Sequence, residues 1–563
     1  MSYTGGDGLS VFLIFLACYL CVGGEVIIHA VKNILKGQVF DENFLMCVAS
    51  IGAFAIGEYP EGAAVMLLYQ IGEAFQEYAV ERSERSITSL MNFRPEYANL
   101  VTDNGIVQTA PESVKIGDVI SVKTGERIPL DGVVSDGTAL LDTSAMTGES
   151  IPVEVRTGDE IMSGCVNTNG LLTITVAKTF GESAVSRILA LVEDASEHKS
   201  RTENFITKFA RYYTPAVCFG ALALAIIPSL IVGDWAEWIH RALVFLVVSC
   251  PCALVISVPL SYFAGLGRAA KRGILVKGGN YLDALCKTDT VVFDKTGTLT
   301  MGKPVFISDG IAPETLKYAA SLEWYSTHPV AKAVAASYTG EYFDVTDYTE
   351  TAGNGATGIV NGKRVDVNKS GIFIDKEKKS DVVVTDKVKP DSANAIARLK
   401  ALNVKRTVML SGDKKSTAEA VGREVGLDIV RAELLPSGKV AALEDLMATK
   451  PTTGSVIYAG DGINDAPVLI RADVGLAMGG VGSDIAIEAA DIVLMTDEPS
   501  KIADTIVIAR ETRSIVIQNI VFALGVKVIV LALSAFGLVA MWAAVFADVG
   551  VALLATLNAI RKR

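Results

Sequence analysis

The run DKTGT begins at Asp294 and directly follows the apolar stretch TVVF. The apolar stretch predicts a buried β-strand, and open α/β sheets bind their ligands at the carboxyl ends of their strands. A carboxylate there can attack a phosphoryl group and form an aspartyl-phosphate. Lys295 and Thr296 follow at once. The alternative is an ordinary polar turn at a strand end, which the partner motifs disfavour.

Those partner motifs stand at other predicted strand ends. The segment GDGINDAP supplies Asp461 and Asp465, two carboxylates that suit an octahedral Mg²⁺ which also contacts phosphate oxygens. Ser411, in LSGD, could hold a phosphate oxygen, and Lys439, in PSGKV, could neutralise charge that develops on the phosphoryl group. The chain has no GxxxxGK[ST] sequence, so the nucleotide is not held by a P-loop.

Composition indicates that membrane helices and soluble domains together position these residues. The chain has 563 residues, of which 50% are hydrophobic and 20% are charged, and its mean hydropathy is +0.39. A helix needs about 20 apolar residues to span a bilayer. Seven apolar segments are predicted to be membrane helices: 9–31, 43–57, 60–80, 210–232, 240–267, 514–536 and 538–560.

The basic residues predict which ends of these segments face the cytosol. They follow the first, third, fifth and last segments, whereas the link GDWAEWIHR between the fourth and fifth suits the outer interface. An odd number of helices then places the N-terminus outside. The start MSYTGGDG has no basic region, so no cleaved signal peptide is expected.

Two soluble blocks fall on the predicted cytosolic side. Residues 83–205 are rich in Val, Ile, Thr and Gly with turn signals, which predicts a small β-rich domain. Residues 278–512 alternate apolar strands with helical patterns, which predicts an α/β domain with a parallel sheet. Within that block, 306–385 has a different pattern and is interpreted as an insertion.

Charge and cysteine usage exclude other classes. The net charge of −12 argues against nucleic acid as a partner. The eight cysteines are scattered, mostly in apolar runs, and do not form a secreted disulfide framework. The soluble parts are therefore expected to be reduced and cytosolic, and the seven apolar segments exclude a soluble phosphatase.

This set of motifs resembles the P-type ATPases over almost the whole chain. The resemblance implies that Asp294 is the phosphorylated residue. It also implies that the TGES run of Thr147, Gly148, Glu149 and Ser150 positions the water that hydrolyses the phosphoenzyme, with Glu149 as general base. The implied fold is a multidomain α-helical membrane bundle with a cytosolic β-rich actuator domain. A haloacid dehalogenase-like α/β phosphorylation domain carries an α+β nucleotide-binding insertion.

Heavy-metal members of that family mark the nucleotide domain with a His-Pro pair and a Gly-x-Gly. Here these are His328–Pro329 and the pair Gly353 and Gly355, with Glu323 five residues before the histidine. The resemblance implies that these residues hold the adenine of ATP.

The fifth apolar segment carries Cys250-Pro251-Cys252 at its centre. Proline breaks a helix locally, and broken helices at the middle of the bilayer are where transporters bind ions. Two thiolates select soft metals such as zinc, cadmium or Cu(I). The alternative is two small apolar cysteines in a buried helix.

Two charges in the last two segments discriminate among these metals. Ionisable residues inside a membrane span are functional candidates by default, and here they are Lys527 and Asp548. Asp548 offers an oxygen ligand to a divalent ion. Lys527 could pair with Asp548, or serve as a counter-charge when the metal leaves. A purely structural ion pair is the alternative.

The same two helices separate the metal-specific groups of the family. Copper members carry Tyr-Asn and Met-x-x-Ser there, whereas this chain resembles the zinc, cadmium and lead group. The expected cargo is therefore Zn²⁺, Cd²⁺ or Pb²⁺, with a Cu(I) or Ag(I) pump and a metal sensor without turnover as alternatives.

Two further features concern the route of the metal. Glu61 and Glu73, in the third segment, could form an exit path, or could mark helix ends and interfaces. Gly23–Gly24 could kink the first helix, and the basic stretch after it, with Lys32 and Lys36, could then be a docking platform for a metal donor.

The chain departs from the resembled branch in showing neither an N-terminal metal-binding domain nor a helix before the kinked one. We expect a monomer in a lipid bilayer, in the bacterial inner membrane, that uses ATP and Mg²⁺. The expected parts are membrane helices 1–3 at 1–82, the actuator domain at 83–205, membrane helices 4–5 with Cys-Pro-Cys at 206–277, the phosphorylation domain at 278–305 and 386–512, the nucleotide-binding domain at 306–385, and membrane helices 6–7 at 513–563.

Overall fold

The computed structural model describes most of the chain: residues 8–36, 42–88, 95–103, 105–144, 152–186, 201–249, 251–351, 355–368, 370–382, 384–461, 465–479 and 488–561. The chain divides into two compact units. The first comprises Met1–Cys286 and Thr505–Arg563, and the second comprises Lys287–Asp504.

The first unit opens with three helices: α1 (Gly8–Leu35), α2 (Glu42–Ala55) and α3 (Tyr59–Thr88). Helix α1 runs through Gly23 and Gly24, the two residues at which the sequence predicts a kink. Gly23 has a packing role, because a Cβ atom there would lie 2.6 Å from the Met66 side chain of α3. Glycine at helix contacts in membranes allows this kind of close approach.

A β-rich region follows α3. Its strands are β1 (Ala98–Thr102), β2 (Gly105–Thr109), β3 (Val119–Val122), β4 (Gly132–Asp136), β5 (Thr138–Asp142), β6 (Val153–Arg156), β7 (Glu160–Ile161), β8 (Val166–Asn167) and β9 (Leu172–Val176). They form a six-stranded sheet in the order β2-β1-β3-β9-β4-β7 and a three-stranded sheet in the order β6-β5-β8. The buried Asp131 carboxylate accepts backbone hydrogen bonds from Ser163 and Ala184, at 2.8 and 3.1 Å, and so ties two loops together.

Further elements of this unit are α4 (Arg201–Val232), α5 (Trp235–Val248), α6 (Cys252–Ala270), β10 (Ile274–Val276) and α7 (Gly279–Leu285). The predicted fifth apolar segment is therefore two helices. Helix α5 ends at Val248, and α6 begins at Cys252 with Pro251 as its N-cap. The predicted break at the proline is confirmed, since proline lacks the N–H that would continue the ladder.

The second unit is built on parallel strands. These are β11 (Thr288–Asp294), β19 (Arg406–Leu410), β20 (Ile429–Arg431), β21 (Ser455–Gly460), β22 (Val474–Ala477) and β23 (Ile492–Leu494). They lie in the order β23-β22-β21-β11-β19-β20, so β11 is central and runs parallel to both neighbours. Nearly every residue of β11 and β21 is buried, as expected for parallel strands covered on both faces.

An inserted layer separates β11 from β19. It begins and ends with the antiparallel pair β12 (Thr300–Phe306) and β18 (Val384–Val388). Between them lie helices α8 (Pro313–Glu323) and α9 (Pro329–Ala336) and strands β13 (Val345–Thr351), β14 (Gly355–Val360), β15 (Lys363–Asn368), β16 (Gly371–Ile374) and β17 (Glu377–Ser380). These five strands form an antiparallel sheet in chain order. One apolar cluster, which includes Leu322, Val334 and Val365, joins the helices to this sheet.

The remaining helices of the second unit are α10 (Ser392–Ala401), α11 (Lys415–Val425), α12 (Pro436–Ala448) and α13 (Ala466–Arg471). The chain then forms α14 (Lys501–Ala535) and α15 (Met541–Ile560). Within the first unit α15 packs against α3, and Gly72 makes this possible, because a Cβ atom there would lie 2.7 Å from the Val549 side chain.

Among the described residues, five helical segments are long and apolar enough to cross a membrane, and one of them combines α5 and α6. They cover Ser10–Leu35, Tyr212–Val232, Trp235–Ala270, Lys501–Ala535 and Met541–Ile560. Helix α2 is apolar but shorter. Helix α3 is not among the five, and its second half carries several Glu and Arg residues.

Candidate active site and intramembrane ion pair

Asp294 lies at the carboxyl end of the central strand β11 and is 5% exposed. Its Oδ2 atom accepts the backbone N–H of Thr296 at 3.0 Å, which turns the chain sharply after the strand. The carboxyl ends of β19 and β21 meet at the same edge of the sheet, because both strands run parallel to β11. The motifs that follow these three strands are therefore gathered here.

Lys439 connects two carboxylates of this site. Its Nζ atom lies 2.5 Å from Asp294 Oδ1 and 2.8 Å from Asp465 Oδ1. Lys439 belongs to the first turn of α12, and Asp465 is the N-cap of α13. Asp461 follows β21 directly, and its carboxylate approaches Gly297. The predicted convergence of Asp294, Lys439 and Asp465 is observed in the second unit.

The site holds more negative than positive charge. Burial raises the pKa of Asp294 to about 6, repulsion by Asp465 adds to this, and Lys439 opposes it. Burial alone would lower the pKa of Lys439, but Asp294 and Asp465 raise it, so the ammonium stays charged. One lysine therefore does not compensate the carboxylates around it.

That charge surplus fits a divalent cation, and aspartate oxygens are the ligands that Mg²⁺ prefers. In the part of the chain that the structure describes, no group of three His, Cys, Asp or Glu side chains would hold a metal ion by itself. Mg²⁺ at Asp294, Asp461 and Asp465 would therefore need oxygens from a phosphate or from water as well.

Ser411 and Thr296 flank the nucleophile differently. Ser411 follows β19, is 2% exposed, and accepts the backbone N–H of Asp413 at 3.1 Å. Thr296 is exposed beside Asp294. Gly297 follows with φ of +72°, and a Cβ atom there would lie 2.7 Å from Asp461 Oδ2, so this position requires glycine.

A buried lysine that the sequence analysis missed holds the loop after Asp294. Lys389 is 4% exposed, and its Nζ atom donates to the Gly297 carbonyl oxygen at 2.5 Å and to Asp497 Oδ1 at 2.6 Å. It follows β18, which pairs with β12 immediately after the DKTGT loop. A chain that leaves a domain to form an insertion returns to that domain near the point of departure. This rule could have predicted that Lys389, at the end of the insertion, lies near the DKTGT loop at its start.

Lys295 makes a second link that the sequence analysis did not assign. Its buried Nζ atom lies 2.7 Å from Asp413 Oδ2, and Asp386 lies further off at 4.0 Å. Asp386 also accepts the Thr300 hydroxyl. The loop after the nucleophile is thus fixed at both ends by buried charge.

The residues expected at the adenine lie on the insertion. Glu323 ends α8 and is 6% exposed, and burial, with repulsion by Glu350, raises its pKa to about 7. The Ser326 hydroxyl donates to Glu350 at 2.8 Å and accepts the His328 backbone N–H at 3.1 Å. The exposed His328 caps α9. Glu350 and Ser326 are additions to the residues expected from the sequence.

Gly355 begins β14 and has a structural reason to be glycine. Its φ is +92°, and a Cβ atom would lie 2.0 Å from the Val367 carbonyl oxygen of the next strand. Strand pairing therefore requires glycine at this position with or without a nucleotide. Its predicted partner Gly353 lies outside the described residues.

Lys527 of α14 and Asp548 of α15 form an ion pair inside the membrane bundle. Lys527 Nζ lies 2.9 Å from Asp548 Oδ1, and both side chains are largely buried. A cavity of about 10 Å³ beside them is also lined by Val248, the last residue of α5 before the helix break. The pair therefore lies at the depth of the Cys-Pro-Cys segment.

The two cysteines of the Cys-Pro-Cys segment lie at the edge of the described residues. Cys250 lies outside the described residues, as do Gly148 and Glu149. Cys252 is the first residue of α6, and only its backbone is among the described atoms.

Glu61 and Glu73 lie on α3 at different depths. Glu61, in the first turn, lies 3.1 Å from Nε2 of His240 on α5, a partner that the sequence analysis missed. Glu73 lies about 18 Å further along the helix axis, next to Gly72, which packs against Val549. The two carboxylates are therefore not neighbours.

Comparison with known proteins agrees with this architecture. Residues 92–193 match the P-type ATPase actuator domain, and residues 288–473 match the haloacid dehalogenase-like hydrolases. A cadmium, zinc and cobalt-transporting ATPase of Bacillus subtilis is 52% identical over 100% of this chain and 84% of that protein. A zinc-transporting ATPase of Synechocystis is 48% identical over 98% of this chain and 80% of that protein.

A solved structure is similar as well. The crystal structure of a zinc-transporting PIB-type ATPase in the E2.Pi state has 37% identity, a TM-score of 0.63 and coverage of 98% of this chain and 95% of that one. The fold and the site define an ATPase with actuator and haloacid dehalogenase-like domains on a membrane bundle. The chain belongs to the P-type ATPase family, within its heavy-metal branch, and is an integral multi-pass membrane protein.

The charge surplus predicts that Asp294→Asn stabilises the protein without Mg²⁺. The folded pKa of about 6 lies above the ordinary value of 3.8, so the folded state binds more protons in this window and loses stability as pH rises through it. The neutral amide should therefore gain up to roughly 3 kcal/mol at pH 7.5, and little near pH 4. Thermal unfolding in EDTA at both pH values measures this.

The control for that experiment is Asp445→Asn, which changes an exposed carboxylate on α12. It should shift Tm little at either pH. A lower Tm for Asp294→Asn at pH 7.5 would contradict the surplus of negative charge.

Lys389→Met should impair phosphorylation while the protein stays folded. The change leaves the Gly297 carbonyl and Asp497 without their shared ammonium, so the loop that carries Asp294 loses its fixed position. Misplacement of a reacting group by about 1 Å costs on the order of 100-fold in rate. We expect a loss of tenfold or more in phosphoenzyme formed from radiolabelled ATP, with partial recovery in Lys389→Arg. The exposed Lys387→Met is the control, and equal rates for Lys389→Met and wild type would show that this lysine does not position the loop.

Proposed function

We propose that this protein is an ATP-driven pump that exports Zn²⁺, Cd²⁺ or a similar soft divalent metal such as Pb²⁺ through an aspartyl-phosphate intermediate. The observation that carries the choice of cargo is the Lys527–Asp548 pair beside the break in the Cys-Pro-Cys segment. A carboxylate near two thiolates suits a divalent soft metal better than Cu(I). Of the two similar proteins, one is named for the transport of cadmium, zinc and cobalt and the other for the transport of zinc.

In the phosphoryl-transfer half, Asp294 is the nucleophile. Its carboxylate accepts hydrogen bonds from the Thr296 N–H and from Lys439, whose ammonium also offsets charge that develops on the transferring group. We assign the hydroxyls of Thr296 and Ser411 to phosphate oxygens. In-line transfer from ATP forms the Asp294 acyl-phosphate and releases ADP.

Mg²⁺ held by Asp294, Asp461 and Asp465 would neutralise phosphate charge. Because these carboxylates outnumber the ammonium groups around them, they favour a cation before the nucleotide arrives. Until then, the Lys439 ammonium contacts both the Asp294 and the Asp465 carboxylates and reduces the repulsion between them.

Hydrolysis of the phosphoenzyme needs a base that the nucleophile does not supply. We assign this to Glu149, with Gly148 beside it in the motif, on the resemblance of TGES to the family motif. Glu323, His328, Gly353 and Gly355 are assigned to adenine. The buried Glu323 carboxyl supports this, because a pKa of about 7 leaves it able to donate a hydrogen bond to a ring nitrogen.

Cys250, Cys252 and Asp548 are the proposed ligands of the transported ion. In the absence of metal, Lys527 neutralises Asp548, and the metal must displace this ammonium to bind. Return of Lys527 to Asp548 would then oppose rebinding after release. Glu73, near the depth of the site, and Glu61, at the other end of α3, are proposed as the beginning and end of the exit path.

The segment boundaries given under Sequence analysis are part of this proposal: 1–82, 83–205, 206–277, 278–305, 306–385, 386–512 and 513–563. We also propose a monomer in the bacterial inner membrane, with Lys32 and Lys36 at the surface where a metal donor docks. Both lysines are exposed at the end of α1.

A Cu(I) or Ag(I) pump is the second candidate, because Cys-Pro-Cys alone would suit a soft monovalent ion. The two candidates differ in what they require of Asp548, which a monovalent ion with two thiolates does not need.

Metal-dependent ATP hydrolysis by the purified protein in detergent and lipid tests the proposal. Zn²⁺ and Cd²⁺ should each stimulate hydrolysis, and Asp294→Asn and Cys250→Ala/Cys252→Ala should abolish the stimulation. Cys18→Ala/Cys21→Ala, an exposed pair on α1, is the matched control and should retain it. Stimulation by Cu(I) alone would reject the divalent cargo in favour of the second candidate.

A double-mutant cycle separates charge balance from transport. Lys527→Met leaves Asp548 without a partner inside the bundle and should cost on the order of 3 kcal/mol in stability. Lys527→Met/Asp548→Asn removes both charges, so Tm should recover while zinc-stimulated hydrolysis stays lost. Recovery of both Tm and zinc stimulation in the double variant would show that Asp548 is not a metal ligand.

A further inference from the structure

A polar layer crosses the membrane bundle two helical turns from the Lys527–Asp548 pair; we define it by the residues Ser257, Ser261, Asn519, Thr556 and Asn558. Asn519 Nδ2 of α14 donates to the Ala555 carbonyl oxygen of α15 at 3.0 Å and to Ser261 Oγ of α6 at 3.4 Å. Asn558 Nδ2 donates to Asn519 Oδ1 at 2.8 Å. These contacts join three helices at one depth.

Two hydroxyls of the polar layer are buried without a use in the fold. Ser257 is 0% exposed and Thr556 is 1% exposed, and neither hydroxyl has a hydrogen-bond partner among the described residues. Ser257 lies one turn from Ser261 along α6, and Thr556 follows Ala555 on α15.

The other buried serines of the bundle show what is unusual about these two. The Ser229 and Ser534 hydroxyls donate to the carbonyl oxygens one turn back in their own helices, at 2.6 and 2.5 Å. This is the ordinary way in which serine is satisfied in a membrane helix. A buried hydroxyl that does not make this hydrogen bond destabilises the folded protein unless another polar group pairs with it.

The polar layer lies on one side of the ion pair. Helix α6 runs from Cys252 past Ser257 to the basic residue Arg268 in its last turn, and α14 reaches Asn519 before Lys527. On α15, Thr556 lies two turns beyond Asp548. All three helices therefore place their polar residues at the same end, which the positive-inside pattern assigns to the cytosol.

The opposite side of the ion pair is mostly apolar, and the buried Ser534 of α14 on that side is satisfied within its own helix. There the bundle is filled by a buried cluster that includes Val65 of α3, Val244 and Val247 of α5, and Met541 and Val545 of α15. A hydrated cation finds polar groups on the cytosolic side and none in this cluster.

Small side chains occupy the space between the polar layer and the ion pair. Ala523 lies one turn from both Asn519 and Lys527, and Ala552 lies one turn from both Asp548 and Thr556. Ala523 also lines the cavity beside the ion pair. The side chains of Ala523 and Ala552 are single methyl groups, so these two positions obstruct the space between the polar layer and the ion pair very little.

We propose that Ser257 and Thr556 form an access site on the cytosolic side, where a divalent cation that still carries water is held before it reaches Cys250, Cys252 and Asp548. Their hydroxyl oxygens replace or hydrogen-bond the water of the ion, which lowers the cost of dehydration inside the bundle. The Asn519–Asn558 pair positions the helices that carry them. This inference rests on the proposed function and adds to it a binding step before the thiolates.

A purely structural polar layer makes a different prediction. Asn519 would join the helices in either case, so substituting it does not discriminate. The Ser257 and Thr556 hydroxyls make no hydrogen bond within the part of the chain that the structure describes, so removing them should leave a structural layer unchanged or slightly more stable. The test therefore targets these two hydroxyls.

The experiment compares Ser257→Ala/Thr556→Val with wild type in zinc-stimulated ATP hydrolysis, using full-length protein in detergent and lipid with buffered free Zn²⁺. We expect the KM for Zn²⁺ to rise roughly five- to tenfold, as for loss of a typical hydrogen bond, while kcat changes less than about twofold. Tm should not fall. Ser257→Ala/Thr556→Ser keeps one hydroxyl and should lie closer to wild type.

The matched control is Ser229→Ala/Ser534→Ala, which removes two buried hydroxyls that are satisfied within their own helices. It should leave the KM for Zn²⁺ unchanged. An unchanged KM in Ser257→Ala/Thr556→Val, with normal stimulation of wild type, overturns the access site and leaves the proposed function intact. Absence of divalent-metal stimulation in wild type overturns the proposed function, and the access site with it.

Discussion

The catalytic unit is organised around one uncompensated charge. Asp294 is buried at the end of β11 with Asp465 close by, and the Lys439 ammonium serves both carboxylates. Burial of an ionised carboxylate is costly unless it is paired, so the fold must hold Lys439 within reach. The parallel sheet does this by ending three strands at one edge, and α12 delivers the lysine from its first turn. The rest of the unit keeps that edge intact.

The same electrostatic problem recurs inside the bundle, where Lys527 and Asp548 are paired. Replacing a buried ion pair by apolar groups is often neutral or stabilising, so neither pair is explained by stability alone. Under the proposed function, each pair keeps a carboxylate available for an incoming cation, which is Mg²⁺ with the nucleotide in one case and the transported ion in the other. In both cases a lysine would neutralise the carboxylate until the cation arrives.

Much of this could be read from the sequence, because the motifs follow strand ends and parallel strands bring those ends together. Asp294, Asp465 and Lys439 can be predicted from these motifs. The break at Pro251 can be predicted separately, because proline lacks a backbone N–H. Lys389 and His240 were not predicted, since each acts across a distance in sequence that only topology sets. Lys389 reaches the Gly297 carbonyl because β18 pairs with β12, and His240 reaches Glu61 because α5 packs near the start of α3. The glycine at position 355 was assigned to a ligand, although strand pairing by itself demands it.

The polar and apolar side chains of the bundle are also distributed unequally on the two sides of the ion pair. From the Lys527–Asp548 pair toward the predicted cytosolic end, α6, α14 and α15 carry the serine, threonine and asparagine residues of the polar layer. On the other side, α3, α5 and α15 contribute valine and methionine to a buried cluster, and the buried Ser534 of α14 is satisfied within its own helix. A packing argument explains the apolar side, since such residues fill a core at little cost. It does not explain the Ser257 and Thr556 hydroxyls, which are buried and have no hydrogen-bond partner among the described residues, because each one lowers stability. The proposed access site accounts for that cost, because a cation that leaves water from the cytosolic side would meet these hydroxyls.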